Sequence, residues 1–310
     1  MERIIGDYTG SRRGPLLLVI GGAHGNEPAG IAAIAELFEM LEREPLRNPG
    51  FVFSGRMVGI RGNLKAIAAN KRYLRRDLNR LWRAEHVERI LAEPPPVLGP
   101  EDEEIRDIHR LVERLIHEYR PDRMVVLDLH TTTAKGGIFS ICTDDAESQR
   151  IAVGLHAPVV RGMLAGIRGT TMHYFHDGHF GFPVQALAFE SGQHQEPLSV
   201  HRAIAGITNC LRTLGCVAPD DVESRHDQLL IEYSRGLPKV TDLIYTHPIV
   251  AGDGFRMMPG YTNFQQVAEG EHIATDRNGP IRAPRACRIL MPLYQAQGED
   301  GFFLVVDAEH

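Results

Sequence analysis

Apolar runs alternate with amphipathic segments through the first two thirds of the chain. Short apolar runs predict strands, and apolar positions spaced three and four apart predict helices. The predicted elements are strands at 16–20, 51–60, 124–130, 138–141, 158–160 and 184–189, and helices at 28–44, 103–119 and 197–214. Because strands alternate with helices, we expect an α/β fold with a largely parallel sheet covered on both faces.

The pattern changes after residue 215. Residues 218–227 are polar and predict a linker, and the proline-rich segment 93–102 predicts an exposed loop. Beyond the linker, short apolar runs at 229–233, 243–250 and 302–306 are separated by glycines and prolines, which predicts strands. We therefore expect a catalytic domain over 1–217 and a smaller β-rich domain over 228–310.

Composition places few further limits on function. The 310 residues are 43% apolar and 24% charged, as in soluble globular proteins, and the net charge of −6 favours neither nucleic acid nor a membrane as partner. The four cysteines form no CxxC pair, and the first residues lack a signal-peptide core. These features predict reduced, buried thiols in a cytoplasmic protein.

Three residues at the ends of predicted strands are candidate metal ligands. His24 and Glu27 follow the first strand, with Gly25 allowing a tight turn between them, and His130 ends the strand at 124–130. Two imidazoles and one carboxylate leave a fourth position open for water, which is typical of a catalytic zinc site. The alternative is that these are hydrogen-bonded structural residues, since the chain has fifteen histidines.

A basic segment and a second glutamate add candidate chemistry. Residues 71–80 contain several arginines and form either a solvated basic face or a site that grips a carboxylate. Glu190 ends the apolar run 184–189, where a buried carboxylate is costly without a partner or a chemical role. It is either a general base for hydrolysis or an ion-paired structural residue.

Five short motifs resemble the succinylglutamate desuccinylase/aspartoacylase family, a branch of the zinc-carboxypeptidase-like fold. The matching segments are 22–27, 62–63 with 71–74, 77–80, 128–131 and 189–190. The resemblance implies a mixed, largely parallel sheet flanked by helices, with a smaller β-rich C-terminal domain. It covers residues 16–214 by motif and the remainder only by general pattern.

The same resemblance implies a role for each motif residue. His24, Glu27 and His130 would hold one zinc ion per chain, and zinc-activated water would attack the acyl carbonyl with Glu190 as general base. The other implied roles are polarisation of the scissile carbonyl by Arg72, binding of the substrate α-carboxylate by Asn79 and Arg80, and orientation of a zinc-ligating histidine by Asp77.

One segment departs from the family pattern. Aspartoacylase-like members carry a tyrosine and an arginine for a second substrate carboxylate in the loop before the catalytic glutamate. Residues 171–180 contain no arginine, and Arg168 lies just before them. The loop also holds His173, His176 and His179, which indicate a second metal site, a substrate-lining loop or a plain surface loop.

We therefore expect a zinc-dependent amidohydrolase that cleaves the amide bond of a small, anionic N-acyl amino acid. The alternatives are a carboxypeptidase-like zinc peptidase and a non-catalytic protein that binds a metal or a small acid. The sequence leaves open the acyl group, the amino acid, the pathway and whether the chain forms a homo-oligomer.

Overall fold

The computed structural model of the chain describes residues 1–94, 97–221 and 225–308. Its strands are β1 Ile4–Thr9, β2 Arg12–Gly21, β3 Ser54–Arg61, β4 Met124–Thr132, β5 Phe139–Cys142, β6 Val159–Arg161, β7 Val184–Gln193, β8 Val240–Pro248, β9 Arg256–Met257, β10 Gln265–Val267, β11 His272–Asp276, β12 Gly279–Arg282, β13 Cys287–Leu290 and β14 Asp300–Asp307.

Helices lie between most of the early strands. They are α1 Ala29–Arg47, α2 Leu64–Ala69, α3 Ala84–Ala92, α4 Pro100–Tyr119, α5 Ala146–Gly154, α6 Met163–Gly166, α7 Thr171–Tyr174, α8 Asp177–Phe180, α9 Leu198–Thr213 and α10 Arg225–Tyr233, with 3₁₀ turns at Leu78–Arg80 and Pro219–Asp221. None of the helices in the described ranges is long and apolar enough to cross a membrane.

An 11-stranded mixed sheet organises the molecule, in the order β1-β3-β2-β4-β7-β5-β6-β8-β14-β13-β10. Strands β3, β2, β4 and β7 pair in parallel, whereas β1 is antiparallel to β3 and β5 is antiparallel to β7. The predicted α/β class is confirmed. The sheet is parallel in its central block and antiparallel among its last strands, β8, β14, β13 and β10.

Both faces of the central strands are buried. Along β2, Leu16 and Leu18 belong to one apolar core, whereas Leu17 and Val19 belong to the core on the opposite face. Helix α4 contributes to the first core, and helices α1 and α9 contribute to the second. A strand that is covered on both sides must be apolar throughout, which explains the continuous run that predicted β2.

The C-terminal strands continue the same sheet. Strand β8 pairs in parallel with β6, and β14, β13 and β10 follow it. A separate 3-stranded sheet, β12-β11-β9, packs beside them around a small core that includes Ile273 and Phe302. The division into domains 1–217 and 228–310 remains a prediction, and the predicted linker 218–227 includes residues outside the described ranges.

One predicted strand is wrong. Residues 229–233 belong to helix α10, in which His226 and Leu230 are buried and Tyr233 is partly buried. Their spacing of four and then three residues is the period of a helix face. The helix period is visible only when His226 is included, because residues 229–233 alone span little more than one helical turn.

The prediction for the thiols is confirmed. Cys142, Cys210, Cys216 and Cys287 are all free and buried. A cytoplasmic location remains a prediction.

Candidate active site

The candidate ligands and the second glutamate lie where neighbouring parallel strands end. His24 and Glu27 are in the turn between β2 and α1, His130 is in β4, and Glu190 is in β7. The register of β4 and β7 pairs His130 directly with Glu190. Gly25 is required by close approach, because a Cβ there would lie 2.1 Å from the carbonyl carbon of Ala66.

Both histidines present the same nitrogen to Glu27. Nδ1 of His24 lies 2.8 Å from Glu27 Oε1, and Nδ1 of His130 lies 3.2 Å from Glu27 Oε2. All three side chains are buried, and their candidate ligand atoms lie within 4.8 Å of one another. Two imidazole nitrogens and a carboxylate in this arrangement can hold a metal ion.

The other ring nitrogen of each histidine faces a buried aspartate. Nε2 of His24 lies 3.0 Å from Asp77 Oδ1, and Nε2 of His130 lies 3.1 Å from Asp128 Oδ2. With Nε2–H donating to the carboxylate, each Nδ1 faces the space shared with Glu27, where it donates to Glu27 while protonated and can bind a metal once that proton is lost. Such contacts fix the tautomer and the ring orientation of metal-binding histidines, so the donor set fits a metal.

Charge in this cluster favours ionised carboxylates. Burial alone would raise the pKa of Glu27, but the charge of His24 and hydrogen bonds from both histidines lower that pKa well below its usual range. Burial would also raise the pKa of Asp77, but the charges of His24 and Arg72 outweigh burial and hold that pKa well below its usual range. Ionised oxygens are the form that binds a cation.

Glu190 differs from these carboxylates. It is 7% exposed, and its Oε2 is buried without a hydrogen-bond partner in the described part of the chain. Burial raises the pKa of Glu190 to about 8, against the opposing effect of His130. A buried carboxylate oxygen without a partner is rare in structural roles and common at sites of chemistry.

Arg72 is held beside this cluster by Asp77. Its Nε and Nη2 donate to Asp77 Oδ2 at 3.1 and 2.9 Å, and its Nη1 lies 3.5 Å from Glu27 Oε1. The same aspartate therefore orients both His24 and Arg72. Arg72 lines the same cavity as Glu190.

Asn79 and Arg80 also line this cavity, but other residues already contact both. Oδ1 of Asn79 accepts from the backbone N–H of Thr171 at 3.0 Å, and its Nδ2 lies 3.3 Å from Nε2 of His130. Arg80 donates from Nη2 to Asp300 Oδ2 at 2.5 Å and from Nη1 to the carbonyl of Asn79 at 2.7 Å. Arg80 is thus ion-paired to strand β14.

Comparison with known proteins identifies the family. Residues 13–213 match the model of the succinylglutamate desuccinylase/aspartoacylase catalytic domain. The chain belongs to this family. It is 34% identical over 120 residues to a probable aspartoacylase from Nostoc sp. (strain PCC 7120 / SAG 25.82 / UTEX 2576), a match that spans 39% of this chain and only 36% of that protein.

Solved structures share the fold over nearly the whole chain. A succinylglutamate desuccinylase/aspartoacylase from Rhodobacter sphaeroides is 18% identical with a TM-score of 0.64, covering 96% of this chain and 86% of that one. The ectoine utilization protein EutE (DoeB) from Ruegeria pomeroyi is 19% identical with a TM-score of 0.64, covering 97% and 87%. The shared fold therefore includes the C-terminal strands.

The loop that departs from the family pattern places no arginine in the cavity. Arg168 is exposed and does not line it, whereas Met172 of helix α7 does. His173 contacts Thr170 and the carbonyl of Leu164, while His176 and His179 contact each other at 3.0 Å.

None of these loop histidines lines the cavity. In the described ranges, His24, Glu27 and His130 form the one group of three potential ligands that could hold a metal. Within the described ranges, His173, His176 and His179 therefore do not form a second candidate metal site.

Three residues near the cluster had no role assigned from the sequence. Asp128 carried a usable signal, because it lies two residues before His130 on the same face of a strand. His194 lines the cavity with Nδ1 2.7 Å from Thr131 Oγ1, and Thr131 N–H donates to Glu27 Oε2 at 3.0 Å. Asp300 carried no signal in the sequence, because it contacts Arg80, which lies 220 positions away in the chain.

Proposed function

We propose that this protein is a zinc-dependent hydrolase that cleaves the amide bond of a small N-acyl amino acid. The observation that carries the proposal is the convergence of two Nδ1 atoms and one carboxylate, His24, His130 and Glu27, beside the unpartnered oxygen of Glu190. Family membership supports the deacylase class, and the name of the relative from Nostoc sp. agrees with it.

His24, Glu27 and His130 would hold one zinc ion per chain, because imidazole and carboxylate ligands suit zinc. The ion supplies Lewis acidity and lowers the pKa of water to about 7. Asp77 and Asp128 keep the ligating rings in place. A zinc-carboxypeptidase-like classification, with a separate β-rich C-terminal domain and a cytoplasmic location, belongs to the same proposal.

The remaining cavity residues would act on the substrate directly. Glu190 takes a proton from the attacking water and returns it to the leaving amine nitrogen. The guanidinium of Arg72 stabilises the negative charge that develops on the carbonyl oxygen. Arg80, with Asn79 beside it, binds the carboxylate of the amino acid and so places the amide carbon next to Glu190.

The test is release of a primary amine by zinc-loaded protein from a panel of N-acyl amino acids and short peptides. We expect release from N-acyl amino acids, and we expect Glu190→Gln to retain zinc but lose about 10²- to 10⁴-fold in kcat, the range for loss of a general base. Zinc content of the variant is the control for an intact site.

Each other outcome selects an alternative. An active Glu190→Gln variant would remove Glu190 from the mechanism. Release from peptides alone would indicate a carboxypeptidase-like peptidase. Zinc binding and ligand binding without turnover of any compound would indicate a non-catalytic binding protein.

A further inference from the structure

One side of the cavity is an apolar surface next to Glu190. Ala188 lies two residues before Glu190 on the same face of β7, and Ile141 of β5 is its antiparallel partner. Met172 of α7 and Phe303 of β14 also line the cavity. These four buried residues, Ile141, Met172, Ala188 and Phe303, are called the apolar floor below.

The cations of the cavity lining are already opposed by carboxylates. In the described part of the chain, Arg72 and Arg80 are the arginines that line the cavity, and no lysine lines it. Arg72 is paired with Asp77 at 2.9 Å, and Arg80 is paired with Asp300 at 2.5 Å. No lining arginine is therefore left for a second substrate carboxylate.

The cavity lining next to Arg80 also carries negative charge. Glu299 and Asp300 both line it, and Glu299 Oε2 lies 4.0 Å from Arg80 Nε. An arginine has five N–H groups, of which the contacts with Asp300 and Asn79 engage two, so Arg80 still has N–H groups for one carboxylate. A second anionic group beside Arg80 would meet Glu299 or Asp300, and one placed over the apolar floor would lose its hydration without gaining a partner.

We propose that the substrate carries a single carboxylate and that its remaining portion is an uncharged aliphatic group packed on the apolar floor. The substrate class is N-acyl amino acids in which neither the acyl group nor the side chain bears a second charge. This inference rests on the proposed function and narrows it, since it excludes succinyl groups and aspartate as preferred substrate parts.

Matched substrates test the inference. The pairs are N-butanoyl-leucine against N-succinyl-leucine, and N-acetyl-leucine against N-acetyl-aspartate, each with zinc-loaded protein. We expect kcat/KM for the dianion of each pair to be about 100-fold lower, because juxtaposed like charges discriminate strongly between ligands. A dianion used equally well or better would overturn the inference, as would a preference for Nα-acetyl-lysine over N-acetyl-leucine.

A variant and its matched control test whether Asp300 causes the discrimination against dianionic substrates. Asp300→Asn removes the carboxylate that neutralises Arg80, so the relative use of N-succinyl-leucine should rise about tenfold. Asp307→Asn, at the far end of the same strand, removes a carboxylate paired with Arg288 outside the cavity and should leave the ratio unchanged. Equal effects of the two variants would contradict the role of Asp300.

Two further measurements keep the test decisive. If Asp300→Asn fails to fold, Glu299→Gln should shift the ratio in the same direction, since Glu299 is exposed. Calorimetry on zinc-loaded Glu190→Gln measures binding of the same compounds. Tighter binding of the monoanions, without turnover of any compound by the wild-type protein, would contradict the proposed function and support the inference. Turnover that favours the dianions would support the proposed function and contradict the inference.

Discussion

At the scale of single residues, each candidate metal-binding histidine is held between two carboxylates. Glu27 contacts both Nδ1 atoms, while Asp77 and Asp128 contact the two Nε2 atoms. The sequence predicted Asp77 in such a role through the family resemblance, and the same arrangement at Asp128 was not predicted. A carboxylate therefore contacts the second ring nitrogen of both candidate ligands.

The contact between Asp128 and His130 predicts a loss of metal affinity in Asp128→Asn. The amide can donate to Nε2 of His130, which would move the ring proton to Nδ1 and block the ligating nitrogen. We expect zinc affinity to fall about 10- to 100-fold. Competition with a chromophoric chelator measures it.

Thr171→Val is the matched control for that variant. The Thr171 hydroxyl donates to the same oxygen of Asp128 at 2.8 Å but does not touch His130. Thr171 is buried, and its removal should leave zinc affinity within about threefold, the scale of the net contribution of one hydrogen bond. Unchanged affinity in Asp128→Asn, or an equal loss in both variants, would show that Asp128 does not orient His130.

At the scale of elements, strong local periodicity gave correct assignments, and the short strands predicted at 138–141 and 158–160 correspond to β5 and β6, but the short segment 229–233 was assigned wrongly. Helix α4 was predicted from 103 and begins at Pro100, where the missing N–H of proline is tolerated in the first turn. The apolar run 229–233 predicts a strand, but it is the C-terminal part of helix α10, Arg225–Tyr233. Five apolar or polar positions cannot separate a period of 2.0 from one of 3.6.

The assignment of α10 has a measurable consequence. Leu230 is fully buried in this helix, whereas Ile231 is 50% exposed. We expect Leu230→Ala to lower the free energy of unfolding by about 2–5 kcal/mol and Ile231→Ala to lower it by about 0.5 kcal/mol or less. Denaturant unfolding of both variants checks this. A larger effect at Ile231 would favour the strand assignment, in which Leu229 and Ile231 share a face.

At the scale of the whole molecule, the sheet joins the two halves of the chain. Strand β6 pairs in parallel with β8, and Arg161 and Asp242 are direct partners in that register. Their side chains form a two-point contact at 2.7 and 2.8 Å. Strand β14, which carries Asp300 and Phe303, then reaches the cavity from the C-terminal part of the chain.

The Arg161–Asp242 pair predicts a pH-dependent contribution to stability. The hydrogen bond from Arg161 lowers the pKa of Asp242 in the folded protein. The ion pair therefore stabilises the fold above the unfolded pKa of aspartate, about 3.9, and this stabilisation is lost as pH falls through the lower folded pKa. Both side chains are 40% exposed, so Asp242→Asn should cost at most about 1 kcal/mol at neutral pH. The difference from wild type should shrink below about pH 4.

Chemical denaturation across that pH range measures the difference. In an Arg161→Gln background, Asp242→Asn should have little effect at any pH, because the partner of the carboxylate is gone. A pH-independent difference in the wild-type background would mean that the ion pair is not its source.

Much of this protein was readable from local sequence. Apolar runs long enough to be buried on both faces determined the central strands, and helix periodicity determined α1, α4 and α9. The candidate ligands were readable because parallel strands bring their carboxyl ends together at one edge of a sheet. His24, Glu27, His130 and Glu190 all lie at such ends, so their assembly follows from the fold class.

Tertiary structure alone decided the charge and shape of the cavity. Asp300 neutralises Arg80 only because β14 is placed next to β8 in the sheet, and Phe303 reaches the cavity for the same reason. Local periodicity carries no information on which distant strands become neighbours. The positions of the candidate ligands and Glu190 therefore followed from residues near the strand ends, whereas the charge balance of the cavity depended on a contact between residues 220 positions apart.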